Sequence, residues 1–193
     1  FYHQAQVLSL GLREKGLKRG DKIAIIGDNR PSLYITIAAA QLIGAVPVPC
    51  YQDSVALELQ YILEHAEVKI VVVENQEQVD KVLEILDRLP NLKTIFYDDP
   101  RGLENYKNKE IHSLKLVFDS KDVDLSWVDS EIEKTSDDEI AVMLYTSGTT
   151  GRPKGVLLSY QNIISVTSKA CEIEKTTVND EVVAYLPMAW VGD

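Results

Sequence analysis

From residue 145 to residue 155 the chain reads Tyr145-Thr146-Ser147-Gly148-Thr149-Thr150-Gly151-Arg152-Pro153-Lys154-Gly155. It is entered through Ile140-Ala141-Val142-Met143-Leu144-Tyr145, an unbroken apolar run of the length and type expected of a buried strand. The strand delivers the chain into small hydroxyls and glycines. Gly148 and Gly151 can take positive φ and bring backbone close to a ligand, so successive N–H groups can turn inward as an anion-binding nest. Hydroxyls of Thr146, Ser147, Thr149 and Thr150 add short donors, and Lys154 adds a mobile positive charge. Together these suit a polyphosphate.

The loop departs from two common motifs. GxxxxGK[ST] counted from Gly148 needs glycine where Pro153 stands and Ser or Thr where Gly155 stands, which disfavours a P-loop NTPase. A GxSxG nucleophile elbow around Ser147 fails on Tyr145 and Thr149. Val156-Leu157-Leu158 follows as a second apolar run, so the loop is expected to join two strands and to bind anions through backbone rather than through a helix dipole. A solvated hairpin without a ligand is the competing reading. It leaves the special backbone and donor positions unexplained.

Upstream, Lys22–Ile26, Val46–Val48, Ile70–Val73 and Leu92–Tyr97 read as short apolar strands. They alternate with helical patterns over residues 3–17, Ser32–Leu42, Val55–Ala66 and Gln78–Leu89. Pro31 suits a first helical position. This alternation predicts an α/β fold, a mostly parallel sheet with helices on both faces. Ile111–Phe118 is expected as one further strand, Ser159 as a helix N-cap, and Glu181–Leu186 as a strand leading into Pro187-Met188-Ala189-Trp190. In open parallel sheets ligands gather beyond the carboxyl ends of strands. The loop and the Pro187–Trp190 turn are both expected at such ends, sharing one pocket.

With 193 residues and 45% hydrophobic content the chain can bury a sizeable core, and its net charge of −10 argues against nucleic-acid binding. Between Asp98 and Glu139 thirteen carboxylates face six Lys or Arg, read as a solvated face. Asp122, Asp124, Ser126 and Glu133 match a calcium-loop spacing, but Trp127 stands where the template needs Gly. The uncharged run from Pro31 to Gln52 contains Gly44, Pro47 and Pro49, which argue against a membrane span. Cys50 and Cys171 lack metal or redox spacing and are expected as buried, reduced thiols in a cytoplasmic protein. His3, His65 and His112 have no metal-ligand partners in spacing and read as surface or satisfied histidines. Phe1 opens directly into a helical pattern, and both ends read as cut.

The stretch from Tyr145 to Gly155 resembles the signature of the AMP-forming adenylate synthetases. The likeness extends through Gly16–Asp21, Gly27–Pro31, Gly44–Pro49 and Tyr185–Trp190, and is greatest to bacterial long-chain fatty-acid CoA ligases. It implies that residues 1–193 are a fragment of the AMP-binding N-terminal domain, without the C-terminal lid domain. It also implies ATP-dependent activation of a fatty acid through an acyl-adenylate, then transfer to coenzyme A. Thr146, Ser147, Gly148, Thr149, Thr150, Gly151 and Lys154 would hold the ATP phosphates, Thr146 would join the Mg²⁺ shell, and Pro187, Met188, Ala189 and Trp190 would line the acyl side. Trp190 stands where long-chain members commonly carry histidine, so imidazole chemistry is not implied there. It would pack on adenylate or acyl chain, or serve as ordinary core.

No catalytic residue is matched within the chain: the glutamate, aspartate and lid lysine of such enzymes lie downstream of the signature. The fragment alone is therefore expected to be inactive. The implied partners are fatty acid, ATP and CoA, with a cytoplasmic location and room for peripheral membrane contact. Two alternatives stay open: adenylation of another carboxylic acid, or a nucleotide-binding module without chemistry.

Overall fold

The computed structural model describes residues 1–118, 125–146 and 151–190. Its centre is a five-stranded sheet, β1 (Lys22–Ile26), β2 (Val46–Cys50), β3 (Ile70–Val73), β4 (Thr94–Tyr97) and β5 (Ile111–Ser113), in the order β2-β1-β3-β4-β5. Every neighbouring pair is parallel. Alternate residues of the central strands feed opposite cores. Ile23, Ile25, Ile70, Val72 and Phe96 pack with α1 (Tyr2–Glu14) and α2 (Pro31–Leu42). Ala24, Ile26, Val71, Val73 and Ile95 pack with α3 (Ala56–His65) and α4 (Gln76–Ile85). Both faces are covered, which is why these strands are apolar throughout instead of alternating. The expected parallel sheet with helices on both faces is thus observed, and Pro31 takes the first helical position of α2.

The apolar run before the signature loop forms β6 (Ile140–Thr146), paired antiparallel with β7 (Lys154–Ser159) in a separate two-stranded ribbon. The ribbon packs beside β2 without extending its ladder, and the sequence of β2 explains this. Val46 donates its N–H toward the β1 side, to Asp21 O at 2.8 Å. Donors alternate along a strand, so Pro47 and Pro49 occupy the outward positions, where they have no N–H to give. That edge of the sheet is closed to a sixth strand. Instead, Gln41 of α2 reaches across, its Nε2 donating to Ala141 O at 3.0 Å while its backbone carbonyl accepts Tyr160 OH at 3.0 Å. Ser159 caps α7 (Tyr160–Glu174), its Oγ accepting the Asn162 N–H at 3.2 Å, as expected.

Other expectations are corrected. Ile111–Phe118 is not one strand: β5 ends at Ser113, opposite the last residue of β4, and the chain turns into α5 (Leu114–Phe118), which buries Leu114. Glu181–Leu186 is irregular. Val182, Val183 and Tyr185 are exposed, and Asn29 Nδ2 takes the carbonyls of Ala184 and Leu186 at 3.0 and 2.8 Å. Without a ladder partner, a high β propensity does not make a strand. Cys50 is buried, but Cys171 is exposed on α7, and both thiols are free. The Asp122 and Asp124 positions of the calcium-like spacing lie outside the described residues. Among the described residues no helix is long and apolar enough to cross a membrane.

Candidate functional site

The strand order places the chain's reversal between β1 and β3, and such a reversal normally opens a ligand crevice. Here Glu74 fills it. Its carboxylate accepts the Asp28 N–H at 2.7 Å and Arg30 Nε at 2.8 Å. Backbone and side chain meet closely, since a Cβ on Gly27 would stand 2.6 Å from Glu74 Cβ. Neither the loop nor the Pro187–Trp190 turn follows a strand of the parallel sheet, but Pro187 and Met188, with residues 27–30 and 50–53, line a cavity of about 410 Å³ at the carboxyl ends of β1 and β2. The loop follows an antiparallel ribbon, and the turn follows irregular chain.

The ribbon itself arranges the site. In its register Thr146 faces Lys154, Leu144 faces Val156, and Val142 faces Leu158. Directly opposed residues share a face, and alternate rungs lie on the same face. One face thus carries two apolar rungs and ends in a hydroxyl beside an ammonium, with Thr146 about 7 Å beyond Leu144. Both Thr146 and Lys154 are exposed. On the opposite face Tyr145 faces Gly155, and an added Cβ on Gly155 would lie 2.2 Å from Met143 Cε and 3.5 Å from Tyr145 Cζ. The glycine after the lysine makes room for those buried side chains. Gly151 takes φ +91°, the left-handed geometry read from its sequence position. Ser147, Gly148, Thr149 and Thr150 lie outside the described residues.

The apolar rungs open onto a cavity of about 340 Å³ lined by Val142, Leu144, Leu158, Ile163, Met188 and Trp190 among others. The Pro187–Trp190 segment is a turn, closed by Trp190 N–H to Pro187 O at 2.8 Å. Met188 and Ala189 are buried, while Trp190 is 51% exposed and is not ordinary core. One cavity thus joins the turn to the ribbon strands, and none of the described residues of the loop itself lines it.

Sequence reasoning missed the residues that hold this ribbon. His65 is satisfied, as expected, but its partner was not foreseen: Nδ1 lies 2.6 Å from Tyr145 OH. Tyr61, one turn earlier on α3, donates its hydroxyl to Pro153 O at 3.2 Å. Its ring stacks on His65 with centroids 5.6 Å apart, and the Arg152 guanidinium stands 5.7 Å from the Tyr61 ring centre. The i, i+4 spacing of Tyr61 and His65 was the available signal; their target, eighty or more residues away, was not. Burial is the largest cause raising the Tyr145 phenol above its ordinary pKa, with Cys50 and Tyr61 adding to it, so this hydroxyl stays neutral. Burial likewise pushes the Cys50 thiol up to about 12.

Among the described residues no group of three or more His, Cys, Asp or Glu is placed to hold a metal ion. Thr146 offers one neutral oxygen. That fits Mg²⁺ only as an ion arriving on a polyphosphate, which supplies most of its ligands together with water.

Comparison with known proteins agrees with this architecture. A long-chain-fatty-acid–CoA ligase of Xenopus laevis is 33% identical over 197 residues, covering 100% of this chain and 26% of the relative. The acetoacetyl-CoA synthetase of Streptomyces lividans superposes with a TM-score of 0.83 at 19% identity, over 98% of this chain and 29% of its own. The ATP-bound structure of MatB from Rhodopseudomonas palustris does so with a TM-score of 0.77 at 25% identity, over 98% and 34%. The chain spans about a quarter of the length of the curated relatives it matches. The model of the family described as AMP-binding enzyme matches residues 1–193, so with its ribbon, loop stems and sheet this chain belongs to the AMP-binding enzymes.

Proposed function

We propose that the intact enzyme activates a long-chain fatty acid with ATP and passes the acyl group to coenzyme A. The carboxylate oxygen attacks the α-phosphorus, and the bond to pyrophosphate breaks. The thiolate of CoA then attacks the acyl carbon of the resulting acyl-adenylate, and AMP leaves. The observation carrying this reading is the shared ribbon face: Val142, Leu144 and Leu158 beside an apolar cavity, then Thr146 opposite Lys154. An apolar acid lying along the first two rungs points its carboxylate toward the third, where polyphosphate charge would be met.

The chain's contribution to such a reaction is positioning and charge stabilisation. Thr146, Ser147, Gly148, Thr149, Thr150, Gly151 and Lys154 would hold the phosphates, with Thr146 as one oxygen ligand of Mg²⁺. The ion supplies charge neutralisation when bound. Met188 and Trp190 would contact the acyl chain. The names of the similar ligases and the ATP-bound relative support this choice of substrates. We extend the reading to a cytoplasmic enzyme that draws its acid from a membrane surface, because each buried methylene favours the lipid phase by about 0.8 kcal/mol.

The experiment is acid-dependent pyrophosphate exchange by the full-length enzyme over palmitate, benzoate and amino acids. Exchange driven by palmitate is expected. Exchange driven by an aryl or amino acid alone rejects the substrate, and nucleotide binding without any exchange rejects the chemistry.

A further inference from the structure

We propose that Tyr61 and His65 are positioning residues for adenylation, fixing the two stems of the signature loop onto one turn of α3. The inference rests on the reading that Thr146 and Lys154 meet the ATP phosphates. Each clamp falls on the residue immediately before one of these groups. His65 Nδ1 holds Tyr145 OH at 2.6 Å, and the next residue is Thr146. Tyr61 OH holds Pro153 O at 3.2 Å, and the next residue is Lys154.

The polar tips are what require explanation. Filling the space between α3 and the ribbon needs only aromatic rings, which phenylalanine would provide without a hydroxyl to satisfy. Instead both hydroxyls in this cluster are directed across the α3–ribbon boundary. His65 sits between the rings, stacked on Tyr61 at 28° and edge-on to Tyr145 at 82°, with centroids 5.6 and 5.8 Å away. The Arg152 guanidinium over Tyr61 adds a third tie to the descending stem. Tyr145 is itself buried and packs in the core shared by α3 and α4. The clamp therefore references Thr146 and Lys154 to the rigid parallel sheet and not merely to each other. A reacting group displaced by about 1 Å can lose two orders of magnitude in rate, so the precision of this reference bears on turnover.

The test compares Tyr61→Phe, His65→Leu, His65→Asn and Lys154→Ala in the full-length enzyme. The readouts are kcat and KM for ATP and for fatty acid in pyrophosphate exchange, with thermal midpoints measured alongside. Tyr61→Phe and His65→Leu are each expected to lower kcat/KM for ATP about fivefold, the loss of one net hydrogen bond. The KM for fatty acid and the thermal midpoint should barely change. His65→Asn keeps a side-chain nitrogen or oxygen near the Nδ1 position and is expected to restore most of the loss. His65→Leu combined with Tyr145→Phe should be no worse than either alone, since both break one bond. The proposal is overturned if Lys154→Ala impairs ATP use while Tyr61→Phe and His65→Leu leave it within twofold. It is equally overturned if the variants lower ATP and fatty-acid parameters together with the midpoint, or if Asn fails to rescue. Unchanged ATP use in Lys154→Ala instead defeats the phosphate reading itself, and this proposal with it.

Discussion

Replacing Glu74 by glutamine keeps the shape of the side chain that fills the crevice beyond β1 and β3 but removes one of its acceptors. The carboxylate, only 9% exposed, accepts the Asp28 N–H at 2.7 Å and Arg30 Nε at 2.8 Å. An amide has a single carbonyl oxygen, so one of the two donors must face an NH₂ group. Losing a hydrogen bond of this charge-assisted kind costs about 1.5–3 kcal/mol. Arg30 is 53% exposed, so water replaces its lost partner and the ion pair adds little beyond that. Gly27 lies close against Glu74, since a Cβ added there would stand 2.6 Å from Glu74 Cβ and 3.1 Å from its Oε2. The expected destabilisation is therefore about 1.5–3 kcal/mol, that of one lost charge-assisted bond. In urea unfolding followed by far-UV circular dichroism, a slope of about 2 kcal/mol/M turns this into a midpoint lower by about 1 M. A midpoint within about 0.2 M of the parent, at unchanged slope, would refute the account of Glu74 as the doubly bonded plug of this crevice.

Lys154→Ala in the full-length enzyme is expected to weaken ATP use by about 1.5–3 kcal/mol, read from adenylation kinetics, with fatty-acid KM unaffected. The Glu131 carboxyl is held below its ordinary value of 4.5 by its bond to Lys134 and then by Arg19. Its folded pKa is depressed, so the stability it contributes is present above the unfolded value and lost as pH falls through the folded one. Glu131→Gln should accordingly lower the thermal midpoint at pH 7 and narrow the gap between midpoints at pH 7 and pH 3; an unchanged gap would show that other carboxylates set the acid sensitivity. Because Cys50 is buried with its thiol pushed up to about 12 while Cys171 is exposed, Ellman's reagent should titrate one thiol in the native chain and two in urea.

The parallel sheet was legible in the amino-acid order because its central strands β1 and β3, buried on both faces, are written as the continuous apolar runs Ile23–Ile26 and Ile70–Val73. The loop's chemistry was legible for a similar local reason: Gly151 and Lys154 carry their backbone and charge properties wherever they stand. What local sequence could not convey was partnership. Glu181–Leu186 has the composition of a strand and is none, since among the described residues no strand pairs with it. Val46-Pro47-Val48-Pro49 holds the reason β6 and β7 stand apart from the sheet, but only the direction of the Val46 N–H shows which edge the prolines close. The shared face of Thr146 and Lys154, and the grip of Tyr61 and His65 on their stems, arise from register and from contacts between residues far apart in the chain. Such contacts leave no periodicity behind, and the fold alone brings them within bonding distance.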